Sequence, residues 1–251
     1  MLKPVDSMAR HLEGRVAVVT GASRGLGHAI ALTLASQGAH IIAIARTQGG
    51  LEELDDAINK LGGTATLVPA DMKDYAAIDR LGAAIHERWK KLDILVGNAG
   101  ILGKLTPLGH VDPKVFEDVM AINVTANWRL IRSLDPLLKA SGAGRAIFVT
   151  SGLAQKCWPY WGPYSISKAA LEAMVRTYAA ENATTSLRAN CFSPGATRTK
   201  MRAQAMPGED PDTLPSAEQV AEQIVALCLP SLTDNGLVFK YHPDGLLKLP
   251  S

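Results

Sequence analysis

A tyrosine and a lysine four residues apart, Tyr164 and Lys168, could act together in moving a proton. Residues four apart on a helix lie on one face, so the phenol and the ammonium group can serve one site. A free tyrosine has a pKa of about 10, too high for a good base at neutral pH. A cation at ~4 Å and an effective dielectric of ~20 favours the phenolate by roughly 4 kcal/mol, at most about three pKa units. The pair therefore predicts a proton-transfer group, although this spacing alone is usually just the edge of a helix between core and solvent.

Short apolar runs alternate with longer segments of helical period from residue 15 onward. Apolar strands that lack in/out alternation, each followed by a helix, indicate a parallel sheet covered on both faces. The sequence therefore predicts a doubly wound, Rossmann-type α/β fold of about seven strands, with sites at the carboxyl ends of the strands. Strands are expected at residues 16–20, 41–45, 65–68, 92–96, 146–150, 187–192 and 236–241. Helices are expected at residues 26–37, 51–61, 75–89, 113–139, 164–182 and 217–228.

One domain is the simplest organisation, because no repeat, low-complexity tract or long linker divides the chain. We expect an N-terminal extension at residues 1–14 and a single catalytic domain at 15–251. Residues 196–216 interrupt the regular pattern with Pro, Gly, Asp and Met, which predicts a substrate lid.

Composition excludes several classes of function. The 251 residues are 47% hydrophobic and 20% charged, with 26 Lys and Arg against 24 Asp and Glu, so neither disorder nor nucleic-acid binding is indicated. No apolar run approaches the roughly 18 residues of a membrane span. The three cysteines have no CxxC or metal-ligand spacing, which suits free thiols in a reducing compartment. A cytoplasmic protein without a metal site is the expectation.

A glycine-rich turn follows the first predicted strand and opens the first predicted helix, at residues 20–27. Glycine lets the backbone turn tightly and approach a ligand, and a helix N-terminus presents free N–H groups and partial positive charge to a pyrophosphate. The spacing differs from the GxGxxG fingerprint, and a tight turn without a ligand is the alternative. The candidate cofactor contacts in this turn are Gly21, Ser23, Arg24, Gly25, Leu26 and Gly27.

The end of the second strand favours NADP(H) over NAD(H). NAD sites of this kind place an acid there, to bind the ribose hydroxyls, but this chain has Ala45 and then Arg46. With Arg24 and Ser23, Arg46 could hold a 2′-phosphate, although two solvated arginines are the plain alternative. Asp71, followed by Met72, could accept a hydrogen bond from adenine or equally cap a helix.

Five motifs in order resemble the short-chain dehydrogenase/reductase family, from residue 15 to about 241. They are the glycine-rich turn, Asn98-Ala99-Gly100, Asn123, Ser151, and Tyr164 with Lys168. The resemblance implies that Tyr164 exchanges a proton with the substrate oxygen and that Ser151 binds that oxygen. It also implies that Lys168 holds the nicotinamide ribose and lowers the Tyr164 pKa, and that Asn123 props open a helix and helps bind a water. These four residues are the predicted catalytic set, in a family member whose substrate is unassigned.

The resemblance extends to the cofactor, the substrate and the assembly. It implies that the nicotinamide cofactor is contacted by Asn98, Ala99, Gly100, Tyr164, Lys168, Pro194, Gly195, Thr197 and Thr199. The substrate is expected to be a small-molecule carbonyl compound or alcohol. For it, the residues suggest a partly aromatic pocket of Leu102, Gln155, Trp158 and Trp161, which admits a bulky apolar group. The family pairs its helices into homodimers or homotetramers, which here implicates residues 113–139 and 164–182.

Two departures from the family pattern stand out. Gly97 replaces the first Asn of the common Asn-Asn-Ala-Gly motif, for which we expect tuning and not inactivation. The last strand lacks the frequent Gly-Gly pair. Two other functions remain open: a catalytically idle dinucleotide-binding regulatory or scaffold protein, and an epimerase or dehydratase of the longer relatives. The complete catalytic set argues against the first, and the short chain after Gly195 against the second.

Overall fold

A computed structural model describes residues 1–3, 5 and 9–249. They form one sheet between two layers of helices, which confirms the predicted fold class. The strands are β1 (Val16–Thr20), β2 (His40–Ala45), β3 (Thr64–Pro69), β4 (Ile94–Gly97), β5 (Arg145–Val149), β6 (Arg188–Ser193), β7 (Val238–Lys240) and β8 (Leu247–Leu249).

The helices cover both faces of this sheet. They are α1 (Gly25–Ser36), α2 (Gln48–Lys60), α3 (Tyr75–Trp89), α4 (Pro113–Met120), α5 (Ala126–Ala140), α6 (Leu153–Lys156), α7 (Gly162–Glu181), α8 (Lys200–Ala205), α9 (Ala217–Glu222) and α10 (Val225–Cys228). No helix among the described residues combines the length and the apolar character needed to cross a membrane.

The strand order is β3-β2-β1-β4-β5-β6-β7-β8, and every pair is parallel except β7 with β8. The chain runs outward from β1 to β3 and then returns to add β4 on the other side of β1. Between β1 and β4 the connections therefore leave in opposite directions, which opens a crevice at the carboxyl ends of these strands.

Successive residues of one strand serve opposite faces of the sheet. Val16 and Val18 of β1 pack with α3, α5 and α7, whereas Ala17 and Val19 pack with α1, α2 and α9. Because side chains alternate across a strand, an apolar run without polar residues is what a sheet covered on both faces needs. A fully buried Val, Leu or Ile stabilises such a core by about 1.5–3 kcal/mol.

The structure adds one strand to the predicted elements and divides two predicted helices. β8 was not predicted, because a three-residue edge strand gives too short an apolar pattern to recognise. The helix expected at residues 113–139 is divided into α4 and α5 by a π-helical turn, Ala121–Thr125. The last helix is divided into the short α9 and α10.

The described part of the N-terminal segment packs on the sheet domain. Leu2 forms a β-bridge with Leu246 through hydrogen bonds of 2.9 and 2.8 Å. Leu12 is fully buried, and its N–H donates to the carbonyl oxygen of Gln37 at 2.8 Å.

Candidate active site

A cavity of about 720 Å³ opens at the carboxyl ends of the parallel strands, at the crevice between β1 and β4. Every residue that the sequence assigned to the cofactor lies on its wall, from the glycine-rich turn to Thr199. Three residues predicted for the reaction or the substrate, Ser151, Leu102 and Trp161, line it as well. The loops after six different strands thus converge on one cleft, large enough for a dinucleotide and a small substrate.

The glycine-rich turn is shaped to bring the backbone close to a ligand. α1 begins at Gly25, and its N-cap, Arg24, makes no side-chain capping bond, so the first N–H groups remain available to an anion. A Cβ atom added at Gly27 would overlap the side-chain amide of Asn98 and the carbonyl oxygen of Gly21. Gly21 itself has φ of +68°, which favours glycine. The turn therefore has the geometry of a phosphate cradle.

A threonine that the sequence analysis left out of the site residues fixes the neighbouring turn. The Oγ1 atom of Thr20 accepts hydrogen bonds from the backbone N–H groups of Asn98 and Ala99, each at 3.0 Å. Asn98 Nδ2 returns a bond to the carbonyl oxygen of Thr20 at 2.9 Å. These bonds join the ends of β1 and β4 across the crevice. The position of Thr20 directly before the glycine-rich turn was the available signal.

Arg24 lies in the glycine-rich turn after β1, and Arg46 directly follows β2. Arg24 and Arg46 both line the cavity, together with Thr47, whose hydroxyl the sequence analysis overlooked. The Arg46 Nη1 atom is 3.8 Å from Asp71 Oδ2, and both side chains are substantially exposed. A solvated pair at this distance contributes about 0–1 kcal/mol, so little holds Arg46 away from a phosphate.

Asp71 lies on the cavity wall, and its Oδ1 accepts a hydrogen bond from the Lys73 N–H at 2.8 Å. The adjacent helix α3 is capped by Asp74, which accepts from the Ala77 N–H at 3.0 Å. Of the two interpretations left open for Asp71, the structure therefore removes the cap of α3.

Tyr164 and Ser151 meet at the floor of the cavity. The Tyr164 hydroxyl is hydrogen-bonded to the Ser151 side chain, and Ser151 Oγ also accepts from the Leu153 N–H at 3.2 Å. Burial raises the pKa of Tyr164 to about 12, and the bond with Ser151 only partly offsets this effect. The expectation of a lowered Tyr164 pKa is thus not met in the protein alone, because loss of hydration outweighs the favourable contacts of the phenolate.

Lys168 lies one turn of α7 after Tyr164, as the spacing required. Its side chain is only 4% exposed, and Nζ donates to the carbonyl oxygen of Val149 at 2.7 Å. Nζ lies 5.6 Å from the centre of the Tyr164 ring. Burial lowers the pKa of Lys168 to about 8, while Cys191 and Glu172 act in the opposite direction. A lysine with this pKa changes its charge within the physiological range.

Asn123 is fully buried in the π-helical turn and lies outside the cavity lining, where it bonds two elements that form the cavity wall. Its Oδ1 accepts from the Ile101 N–H at 2.9 Å, and its Nδ2 donates to the Ile101 carbonyl at 3.0 Å and to Ser167 Oγ at 2.9 Å. Asn123 thereby joins the loop after β4 to helix α7. Its own carbonyl oxygen accepts from Asn127 Nδ2 at 2.8 Å, a contact that the sequence analysis missed.

Asn127 also explains how the chain accommodates Gly97. A Cβ atom added at Gly97 would lie 2.5 Å from both Asn127 Oδ1 and the Phe148 ring. These two side chains therefore occupy the space into which the family's asparagine side chain would extend.

Two of the four residues predicted for the substrate pocket line the cavity. Leu102 and Trp161 form an apolar wall with Ala205, against which Leu153, Met206 and Tyr164 pack. Gln155 and Trp158 are exposed and lie outside the cavity lining among the described residues. Within α6, the residue that lines the cavity is Leu153, because only one side of this short helix faces the cavity.

The first half of the segment at residues 196–216 lines the cavity. Thr199 caps α8 by accepting from the Arg202 N–H at 3.2 Å. Arg202 forms a two-pronged ion pair with Glu209, with both N–O distances at 2.6 Å. A bidentate pair of this kind fixes geometry as well as charge. Five further residues of this segment line the cavity and were not predicted as site residues. They are Lys200, Met201, Arg202, Gln204 and Ala205.

Comparison with known proteins places this site in a family. The family model described as short chain dehydrogenase matches residues 15–210. The uncharacterized oxidoreductase YciK of Escherichia coli K12 is 37% identical over 206 residues, which cover 81% of each chain.

Two solved structures are similar throughout. A short chain dehydrogenase from Pseudomonas syringae has a TM-score of 0.91 and 36% identity, and the match covers 96% of this chain and 98% of that one. One from Escherichia coli CFT073, complexed with NADPH, has a TM-score of 0.87 and 34% identity over 92% and 98% of the two chains.

The fold and the cleft define an oxidoreductase of the dinucleotide-binding class. Within that class, the chain belongs to the short-chain dehydrogenase/reductase family, as its motifs predicted.

Proposed function

We propose that this enzyme uses NADP(H) to interconvert a carbonyl compound and a secondary alcohol, with Tyr164 as general acid and base. The observation that carries the proposal is that Ser151, Tyr164 and Lys168 line one cleft of dinucleotide size, while the buried Asn123 joins the loop at Ile101 to α7. A nicotinamide cofactor, when bound, supplies or accepts the hydride. The NADPH complex of a similar protein supports this choice of cofactor.

Each residue has a role that its surroundings allow. The Tyr164 hydroxyl donates its proton to the substrate oxygen, and Ser151 donates a hydrogen bond to the same oxygen, where negative charge develops. Lys168 supports the tyrosine electrostatically and holds the ribose hydroxyls. Asn123 fixes the loop at Ile101 and helix α7 relative to each other. The apolar wall around Trp161 favours an apolar group on the substrate.

The charge state of Tyr164 suits proton donation. With a pKa near 12 in the protein alone, the side chain is protonated at neutral pH and ready to donate to a substrate oxygen.

An idle dinucleotide-binding regulator is the second candidate. Such a regulator would bind the cofactor without turning over any substrate, whereas the complete catalytic set favours an enzyme. The direct experiment follows NADPH absorbance with aldehydes, ketones and keto esters that carry apolar groups. Turnover supports the reductase, and tight NADPH binding without turnover of any compound supports the regulator.

The two arginines should determine cofactor choice. We expect Arg46→Ala and Arg24→Ala each to weaken NADPH binding by about tenfold to a hundredfold, because a hydrogen bond to a charged group contributes about 1.5–3 kcal/mol. NADH binding should stay nearly constant, since NADH lacks the 2′-phosphate. Fluorescence titration with both cofactors measures the effect, and Arg80→Ala on the exposed side of α3 is the matched control. Equal loss for both cofactors, or tighter binding of NADH by the parent, would refute the assignment.

We also propose a homodimer or homotetramer that pairs α4, α5 and α7. Trp128 on α5 and Ile166 on α7 are large apolar side chains that are 46% and 39% exposed. Trp128→Glu should therefore shift the mass measured by light scattering toward the monomer, because a charge buried in an apolar contact is costly. Leu61→Glu, at the exposed end of α2, should leave the mass unchanged. A monomeric parent would contradict the proposal.

A further inference from the structure

A buried carboxylate lies one turn of α7 beyond Lys168. Glu172 is 4% exposed, and its Oε1 accepts a hydrogen bond from Thr150 Oγ1 at 2.7 Å. Its Oε2 is 3.9 Å from Arg176 Nη1. Burying a carboxylate costs desolvation free energy unless hydrogen bonds or opposite charges compensate for it. We therefore ask what Glu172 contributes at this position.

Thr150 connects this carboxylate to the catalytic serine. It is the residue directly before Ser151, is 1% exposed, and is held by its N–H, which donates to the Phe192 carbonyl at 2.8 Å. The preceding residue, Val149, accepts the Lys168 ammonium. Two consecutive residues at the end of β5 thus bind two side chains one turn apart on α7. The two attachments fix the helix that carries Tyr164 against the turn that carries Ser151.

We propose that Glu172 is a positioning residue for the catalytic site, acting on Ser151 through Thr150 and on Lys168 through its charge. The proposal rests on the function proposed above. The geometry gives the carboxylate both tasks: it anchors the Thr150 hydroxyl, and it places a negative charge beside the ammonium that the reaction needs.

The charges around Lys168 come from two elements. Tyr164, Glu172 and Arg176 share its helix α7, and Cys191 faces it from β6. Burial raises the pKa of Cys191, so this thiol stays uncharged at neutral pH. Burial also raises the pKa of Glu172, while Thr150, Arg176 and Lys168 lower it. Glu172 is therefore the anion that opposes the loss of the Lys168 charge.

The sign of the effect follows from these contacts. A neighbouring anion favours the ammonium, so removing it lowers the pKa of Lys168 and the lysine loses its charge at a lower pH. Glu172→Gln keeps the shape and an oxygen that accepts from Thr150, but removes the charge. Thr150→Val removes the hydroxyl and keeps the shape, whereas Thr150→Ser keeps the hydroxyl.

The first experiment measures NADPH affinity by fluorescence titration between about pH 7 and pH 10, around the titration of a buried lysine. We expect affinity to fall as Lys168 loses its charge, and Glu172→Gln to move the midpoint down by about one pH unit. Glu181→Gln, at the exposed end of α7, is the matched control and should leave the midpoint in place. An unchanged midpoint in folded Glu172→Gln, or a parent affinity independent of pH, refutes the electrostatic role.

The second experiment uses the best carbonyl compound from the screen. We expect Thr150→Val to lower kcat about tenfold with little change in KM for NADPH, and Thr150→Ser to restore most of kcat. Equal kcat for the valine variant and the parent refutes the link to Ser151, as does failure of the serine variant to restore activity. Thermal unfolding identifies a variant that does not fold; if Glu172→Gln is one, the threonine pair decides.

Failure of this proposal can be told apart from failure of the proposed function. The affinity measurement needs no turnover. If turnover requires Tyr164 but is unaffected by the substitutions at Glu172 and Thr150, the proposed function stands and this inference is refuted.

Discussion

Tyr164→Phe should lower kcat for carbonyl reduction by about 10³-fold, because a positioned general acid contributes about 10²–10⁴-fold. The change removes only the hydroxyl that is hydrogen-bonded to Ser151. The ring, which packs edge-on against Trp161 with centroids 6.1 Å apart, remains. NADPH affinity should therefore change less than about twofold. Initial rates followed by NADPH absorbance, together with a fluorescence titration of the cofactor, measure both quantities.

The control is another tyrosine of the same region. Tyr160→Phe, at a side chain that is 60% exposed, should leave kcat within about twofold of the parent. Parent-like turnover by Tyr164→Phe would remove this residue from the mechanism. Loss of cofactor binding by the same variant would show that its inactivity has another cause.

Gly27→Ala should weaken cofactor binding about as strongly as the loss of either arginine. The added methyl group overlaps the Asn98 side-chain amide and the Gly21 carbonyl, so the two turns that form the phosphate cradle must separate. Overpacking of this kind costs about 1–3 kcal/mol, which corresponds to roughly tenfold to a hundredfold in affinity if the strain falls on the binding geometry. Titration with NADPH gives the loss in affinity, and thermal unfolding gives the cost in stability.

A second glycine provides the comparison. A Cβ atom at Gly49, in the first turn of α2, meets no other atom within 4 Å. Gly49→Ala should keep NADPH affinity and raise stability by about 0.4–1 kcal/mol, since alanine restricts the unfolded chain. If Gly27→Ala binds NADPH as tightly as the parent, the close approach of the two turns is not needed for the site.

Burial affects both members of the pair. It holds Tyr164 in its protonated form and brings the Lys168 pKa down to about 8. Above that pH the ammonium loses its charge, so its support for a phenolate weakens as well.

The sequence by itself determined the fold class and the strand ends at which the site residues lie. Strands β1 to β6 lie within two residues of the predicted bounds, because long apolar runs separated by helical segments have few other solutions. The motifs fall at the ends of these strands, and parallel strands end on the same edge of the sheet. Convergence of the glycine-rich turn, Asn98, Ser151 and Gly195 on one cleft therefore followed from strand order.

Several site contacts could not be predicted from a pattern of side-chain types. Gln155 and Trp158 share a polar and aromatic segment with Trp161, but the turns of α6 and the following loop expose the first two and bury the third. The π-helical turn at Asn123 gives no periodic signal, since one extra residue in a helix is a local event.

Only the tertiary structure decided the electrostatics. Spacing places Tyr164 beside Lys168, but a pKa depends on how many neighbouring atoms displace water, and those come from β5, β6 and α8. Glu172 reads in sequence as an ordinary helix residue. Its contact with Thr150 joins residues 22 positions apart, so its place behind the catalytic pair exists only once the helix lies on the sheet. Hydration and long-range contact are properties of the folded chain, which is why the pair could be located from the sequence but its proton affinity could not.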